Sequence, residues 1–248
     1  GAQKMWYVVG APQAQHLQMV EAAAKKAGWL PANVEMQHVS FGNVLGADKK
    51  MLKSRSGESV KLSALLEEAV ERASRAVEEK NPALSASERA NVARMIGIGA
   101  VKYADLSTDR IKDYIFDWDM MLSFEGNTAP YLQYAYTRVR SILRRAEITD
   151  SFNATLNLVE EQEKQLAVKL LRFEETLQQV IKDAQPNLLC NYLYELASLY
   201  MSFYEACPIL KEGVEPALRD SRLMLSIGVS RLLAKGLDLL GIEVMERM

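Results

Sequence analysis

Apolar residues follow two regimes along the chain. In the opening quarter they come in short runs. Residues 6–9, "WYVV", are β-branched and aromatic and end at Gly10 and Pro12, which predicts a strand. Residues 14–27 carry a helical period stopped by Gly28, and residues 34–42, "VEMQHVSFG", alternate well enough for a second strand. The Gly- and Lys-rich segment 42–57 then predicts a loop. This order describes the end of a β-α-β layer. From Leu62 the period becomes 3.6, with Leu62, Leu65, Leu66, Ala69, Ala73 and Val77 on one helical face as far as Asn81-Pro82. Ser85 and Ser87 offer caps for a helix reaching about Leu106. Thr128, with Pro130 in the first turn, offers the cap of another. Further helical segments are expected over 152–184, 186–205 and 215–240, the last with a stripe of Leu225, Val229, Leu232, Leu233 and Leu240. No internal repeat is present, and "NPALSAS" and "SFEGNTAP" are the linker-like stretches. The second places a boundary near Glu125. The fold expected is mainly α, a short α/β layer followed by helices.

Composition narrows the function classes. With 248 residues and 49% hydrophobic content the chain can bury a sizeable core, as one large or two modest domains. A formal net charge of -2 gives no bulk attraction for a polyanion, so nucleic acid must be met by local patches. The two cysteines, Cys190 and Cys207, match no C-x-x-C spacing and fit a reducing cytoplasm better than a disulfide scaffold. No apolar run reaches the ~18–20 residues of a membrane helix, and no signal-peptide core opens the chain. A cytoplasmic protein with no membrane partner is expected. The chain starts without Met, almost directly on a strand, so a piece of a longer protein is also expected.

Candidate chemistry is sparse. Lys50 and Lys53 lie in "KKMLKSRSGES", either a solvated surface or a mobile phosphate clamp whose ammonium groups meet charge developing in a transition state. The P-loop pattern G-x-x-x-x-G-K-[ST] is absent. His16 and His38, the only histidines, have no neighbouring Cys, Ser elbow or carboxylate pair, so neither belongs to a hydrolytic triad. Asp113, Asp117 and Asp119 in "DYIFDWDMML" meet no metal-ligand spacing and read as turn residues. No metal site and no tightly bound cofactor are expected. Tyr131, Tyr134 and Arg138 stand three and four residues apart on one helical face. Tyrosines beside arginine suit base stacking and phosphate contact, and a bundle core with a basic outer face gives the same letters.

The segments "HVSFGNVLG", "KMLKSRSGE", "IGIGAVKYADLSTDRIKDYIFDWDMMLSFEGNTAPYLQYAYTRVRSILRRA" and the ending "GLDLLGIEVMERM" together resemble bacterial arginyl-tRNA synthetases, a class I aminoacyl-tRNA synthetase family, nearly end to end. The resemblance implies that residues 1–60 are the C-terminal end of a Rossmann-type catalytic domain. It makes 61–125 a helical connector and 126–248 an α-helical anticodon-binding bundle of the DALR type. The basic loop resembles a degenerate KMSKS signature, with Lys50, Met51, Lys53 and Ser54 in its positions and Leu52 in place of the central Ser. By that resemblance Lys50, Lys53 and Ser54 hold ATP phosphates, and Gln13, His16, His38, Phe41, Met51 and Arg55 neighbour the active site. Tyr131, Tyr134, Tyr204 and Met248 line an anticodon-loop surface, to which the shared helical face adds Arg138. The implied substrates are arginine, ATP with Mg2+ and the tRNA for arginine, handled by a monomer. The family's HIGH signature is absent, and Gly10 stands where the family more usually has Asp. The chain alone is therefore expected to lack catalysis. The alternative is a non-catalytic helical module that docks tRNA or protein.

Overall fold

The computed structural model describes residues 2–50 and 61–248, and its chain divides into two compact units, Gly1–Val60 with Thr108–Asp117, and Lys61–Ser107 with Trp118–Met248. This cut differs from the three consecutive parts expected from the sequence, because a stretch from the middle of the chain returns to the first unit.

In the first unit, β1 (Lys4–Val8) and β2 (Glu35–Val39) pair in parallel, from Lys4 opposite Glu35 to Val8 opposite Val39. A short turn at Ala11–Gln13 and helix α1 (Ala14–Lys26) make the crossover. Gly28 ends α1 at φ 71°, where Trp29 N–H reaches back to the Ala24 carbonyl and Gly28 N–H to that of Lys25. That pairing satisfies the carbonyls a helix end leaves open, and it needs the left-handed conformation glycine adopts freely. The β-α-β reading of the opening stretch is what the structure shows. The loop expected over 42–57 contains a strand instead: β3 (Val44–Leu45) pairs in parallel with β4 (Tyr114–Ile115). Gly42 makes this possible, since a Cβ there would lie 2.5 Å from the Lys112 carbonyl oxygen. A two-residue strand has no alternation to detect, and its partner lies seventy residues on.

The second unit is helical. Helices α2 (Leu62–Lys80) and α3 (Ala86–Ser107) form a hairpin in which Ala69 and Ala73 are fully buried. Gly97 lets the backbones touch, as a Cβ there would sit 2.7 Å from the Ala69 carbonyl. Ser85 caps α3 by a reciprocal box: its Oγ accepts the Glu88 N–H, and Glu88 Oε2 accepts the Ser85 N–H at 3.0 Å. Leu62, expected on the buried face, is 67% exposed, because it stands at the first helical position, ahead of the contact with α3.

After the short α4 (Trp118–Met121) come α5 (Ala129–Arg145), α6 (Glu161–Leu171), α7 (Phe173–Asp183), α8 (Pro186–Ala206) and α9 (Pro216–Leu239). The single helix expected over 152–184 is two. Residues 152–160 are irregular, and Arg172 separates α6 from α7. Glu163 sets the start of α6, its Oε2 accepting from the N–H groups of Val159 and Glu160 at 2.6 and 2.9 Å. Leu132, Val139, Leu166, Leu193, Leu196, Phe203, Ile227 and Leu233 are fully buried at the centre of this unit. None of the described helices is long and apolar enough to cross a membrane.

Candidate functional site

Helix α5 presents the tyrosine row. Thr128 opens the helix: its Oγ1 accepts the Tyr131 N–H at 3.2 Å and its hydroxyl donates to the Ser123 carbonyl at 2.6 Å. Apolar residues at 132, 135, 139, 142 and 143 face the core, which turns 131, 134 and 138 toward the edge shared with α8. Tyr131, half-buried, packs its ring against Tyr194 with centroids 5.6 Å apart. Its hydroxyl lies 3.5 Å from Ser198 Oγ. Seven residues along, the Arg138 guanidinium lies over two rings, 5.7 Å from the Tyr134 centroid and 5.2 Å from that of Tyr204. Tyr134 is 39% exposed, while Tyr204 and Arg138 are half-buried. The structure thus brings Tyr131, Tyr134, Arg138 and Tyr204 onto one α5–α8 edge. At a rise of ~1.5 Å per residue, the two aromatic contacts along α5 are roughly 10 Å apart.

Met248 is placed elsewhere. Its carbonyl accepts from Asn81 Nδ2 at 3.1 Å, and its side chain packs with Met245 on the α2–α3 hairpin beside Val77, Val92 and Ile96. The tail leading to it is fastened throughout. Arg94 grips Glu243 with two bonds of 2.8 Å, Gln133 Nε2 donates to the Glu243 carbonyl, and Arg140 and Arg144 hold Glu246. Hydrogen bonding by Arg94 lowers the Glu243 carboxyl below its usual range.

In the first unit, Lys50 is exposed at the end of a tight turn in which Gly46 N–H donates to the Lys50 carbonyl at 2.8 Å and Lys49 has φ 59°. Met51, Lys53, Ser54 and Arg55 lie outside the described residues. His38 on β2 is within 3.0 Å of the Val9 carbonyl through Nε2, tying the two strands at their ends. Gln13 and His16 are exposed at the start of α1, and Phe41 is 47% exposed. Asp113, read from the sequence as a turn residue, clasps the root of the basic loop, its Oδ1 accepting from Asn43 N–H at 2.6 Å and Asn43 Nδ2 at 3.1 Å. Among the described residues no cluster of three His, Cys, Asp or Glu side chains could hold a metal.

The sequence reading missed Tyr194 and Ser198. They stand four apart on α8, a spacing visible in "YLYELAS", but only the pairing of α5 with α8 gives it meaning. Neither cysteine offers chemistry in the described structure: both are buried, and burial pushes the Cys190 thiol up to about 12.

Residues 1–118 match the family described as tRNA synthetases class I (R), catalytic domain, and residues 132–248 match the DALR anticodon binding domain. Arginine–tRNA ligases of Saccharophagus degradans and Cellvibrio japonicus are 58% and 56% identical over the whole chain, which spans 43% of the length of each. The solved arginyl-tRNA synthetase of Thermus thermophilus superposes on all of the chain with a TM-score of 0.86 at 34% identity, the chain covering 41% of it. Two matches in order along one chain, with relatives alike across all of it, place the chain in the class I arginyl-tRNA synthetase family, as catalytic-domain sequence followed by a DALR domain.

Proposed function

We propose that the chain is the ATP-phosphate-loop and tRNA-anticodon-binding part of an arginine–tRNA ligase, which attaches arginine to its tRNA at the expense of ATP. In the first step arginine attacks the ATP α-phosphate, giving arginyl-adenylate and pyrophosphate. In the second, the terminal ribose hydroxyl of the tRNA takes the arginyl group. Both steps rest on positioning and charge stabilisation more than on a protein nucleophile. Lys53, with Lys50 and Ser54, holds the phosphates of ATP, supplied as its Mg2+ complex, while pyrophosphate leaves. Gln13, His16, His38, Phe41, Met51 and Arg55 belong to the surroundings of that site. The parts played are those of a catalytic-domain end (1–60), a connector (61–125) and an anticodon-binding bundle (126–248), in a cytoplasmic monomer.

The observation that carries the RNA reading is the α5–α8 edge, where Tyr131, Tyr134, Tyr204 and Arg138 converge at the surface. Bases splayed from an anticodon loop stack on such rings, each worth ~1–3 kcal/mol. Met248, which packs on the α2–α3 hairpin, is left out of this surface. Catalysis needs phosphate contacts that this chain's HIGH-less sequence does not supply, so the chain alone binds tRNA without activating arginine. The test is paired. Filter binding with arginine tRNA should show Tyr204→Ala weakened by ~1–3 kcal/mol with the fold retained, and ATP–pyrophosphate exchange by the same chain should stay at background. Unchanged binding in Tyr131→Ala and Tyr204→Ala moves the RNA site elsewhere. Exchange above background overturns the division of labour.

A further inference from the structure

The half-buried Arg138 guanidinium meets two aromatic rings and, among the described residues, forms no ion pair. Its carbon lies over Tyr134 from its own helix and over Tyr204 from α8, and Nη1 reaches the Tyr134 hydroxyl at 3.5 Å. No ion pair among the described residues includes it, whereas Arg140 and Arg144 on the same helix are both committed to Glu246. Two roles are open to such a cation. As a phosphate ligand it would swing outward and add one counterion-releasing contact. As a planar spacer it would stay and fix the rings on either side.

The geometry points to the second role: we infer that Arg138 is a positioning residue whose guanidinium spaces the Tyr134 and Tyr204 rings as a preformed pair for the bases of a single-stranded RNA loop. This rests on the RNA reading above. Three features carry it. The guanidinium already occupies a face of each ring, so a base meets the pair from outside and not between them. Arginine is flat and weakly hydrated, and stacks on ring faces in a way a lysine ammonium does not. The half-burial of Arg138 and Tyr204, together with the spacing of four from Tyr134, holds the arrangement in the free protein, so little ordering is left for the moment of binding.

The experiment compares the parent chain with Arg138→Lys and Arg138→Gln, after circular dichroism shows all three folded. The probe is an RNA hairpin with the sequence of an arginine tRNA anticodon arm. A spacer predicts that both variants lose affinity by a similar factor, on the order of tenfold, which is the scale of one stacked base. It also predicts that the slope of log affinity against log salt stays within ~0.3 of the parent's, since no phosphate contact is lost. Incorporated 3-fluorotyrosine should show the Tyr134 and Tyr204 ¹⁹F resonances moving in both variants without RNA. If Lys restores binding while Gln flattens the slope by ~0.7, Arg138 is a phosphate ligand and the inference falls while the RNA reading stands. Fluorine resonances that do not move overturn the spacer whatever the RNA result. If the parent chain ignores the hairpin, the RNA reading fails and takes the inference with it.

Discussion

The two units carry similar apolar side chains and bury them very differently. In the first, the described residues bury only Leu17 and Val39, and leave Trp29 83%, Met19 64%, Val8 61% and Trp6 47% exposed. Among the described residues its strands form two separate two-stranded parallel ribbons, whereas parallel strands are normally covered on both faces. Two-stranded ribbons are marginal at best in water. In the helical unit, Leu132, Leu193, Leu196, Phe203, Ile227 and Leu233 are all completely enclosed. The lesson is that hydrophobic content does not measure stability; closure does. Unfolding of the chain should be governed by the helical unit, and the first unit should respond locally.

The largest effect that can break this comparison lies at Glu163 and Arg222, paired at 2.6 Å with side chains 0% and 6% exposed. Arg222 also donates to the Pro208 carbonyl at 2.7 Å, so the pair ties three segments together. Removing one partner strands a buried charge, and Glu163→Ala should cost ~3–5 kcal/mol in urea unfolding. Val8→Ser on exposed β1 should change the same transition by under ~0.5 kcal/mol. Equal effects would mean that the first unit shares the bundle's cooperativity. The pair also sets a pH dependence. Burial alone would raise the Glu163 carboxyl, but hydrogen bonds from Arg222 and from the Glu160 and Val159 N–H groups outweigh it and leave the group below its usual range. A lowered folded-state pKa gives stability that is complete above the unfolded carboxylate value, ~4.3, and is lost as pH falls through the lower folded value. Between pH 6 and 3 the parent should therefore lose more of its urea midpoint than a Glu163→Gln, Arg222→Met double variant.

Two glycines give a matched intermediate test. A Cβ at Gly97 would meet the Ala69 backbone at 2.7 Å, and one at Gly42 would meet the Lys112 backbone at 2.5 Å. Neither obstacle is a side chain that can rotate away, so each alanine substitution forces backbone apart at ~1–3 kcal/mol. Gly97→Ala should lower the main thermal transition, because it pries α2 from α3 inside the cooperative unit. Gly42→Ala should leave that transition in place and speed amide exchange at Asn43–Leu45 and Tyr114–Phe116, where β3 meets β4. A shift of the main transition by both would break the distinction between the units.

Legibility in the sequence followed the same divide. Helices α2, α3, α5, α8 and α9 were readable because each repeats its apolar face over several turns, and α3 and α5 also carry caps, Ser85 with Glu88 and Thr128 before Pro130. The break at Arg172 was not, since "KLLRFEET" keeps helical propensity straight through it. The β3–β4 ribbon was unreadable for want of length. At the candidate site, Tyr131, Tyr134 and Arg138 could be placed on one face from spacing, but the Tyr204 and Tyr194 contacts depend on which helix α5 meets. The resting place of Met248 depends on a tail fastened by Asn81, just past α2, and by side chains from α3 and α5, which no local pattern encodes.

The smallest effect concerns the cap that opens the tyrosine row. Thr128 Oγ1 accepts the Tyr131 N–H while its hydroxyl donates to Ser123 O, so alanine removes a cap and leaves a carbonyl with one partner fewer. The cost expected is ~1 kcal/mol, and Thr128→Ser should recover most of it because serine keeps both bonds. The way the loss is felt matters more than its size. Leu132 and Ala135, in the first two turns of α5, are fully buried against the shared core, so the turn cannot fray alone without opening that core. Thr128→Ala should therefore lower the global urea midpoint. Asp113→Ala, which removes the clasp on Asn43 in the first unit, should act only on local exchange around residues 43–45. If Thr128→Ala instead speeds exchange at 129–132 and leaves the midpoint where it was, the start of α5 is a separately opening segment. The helical unit would then lose its claim to closure at the edge where the tyrosines stand.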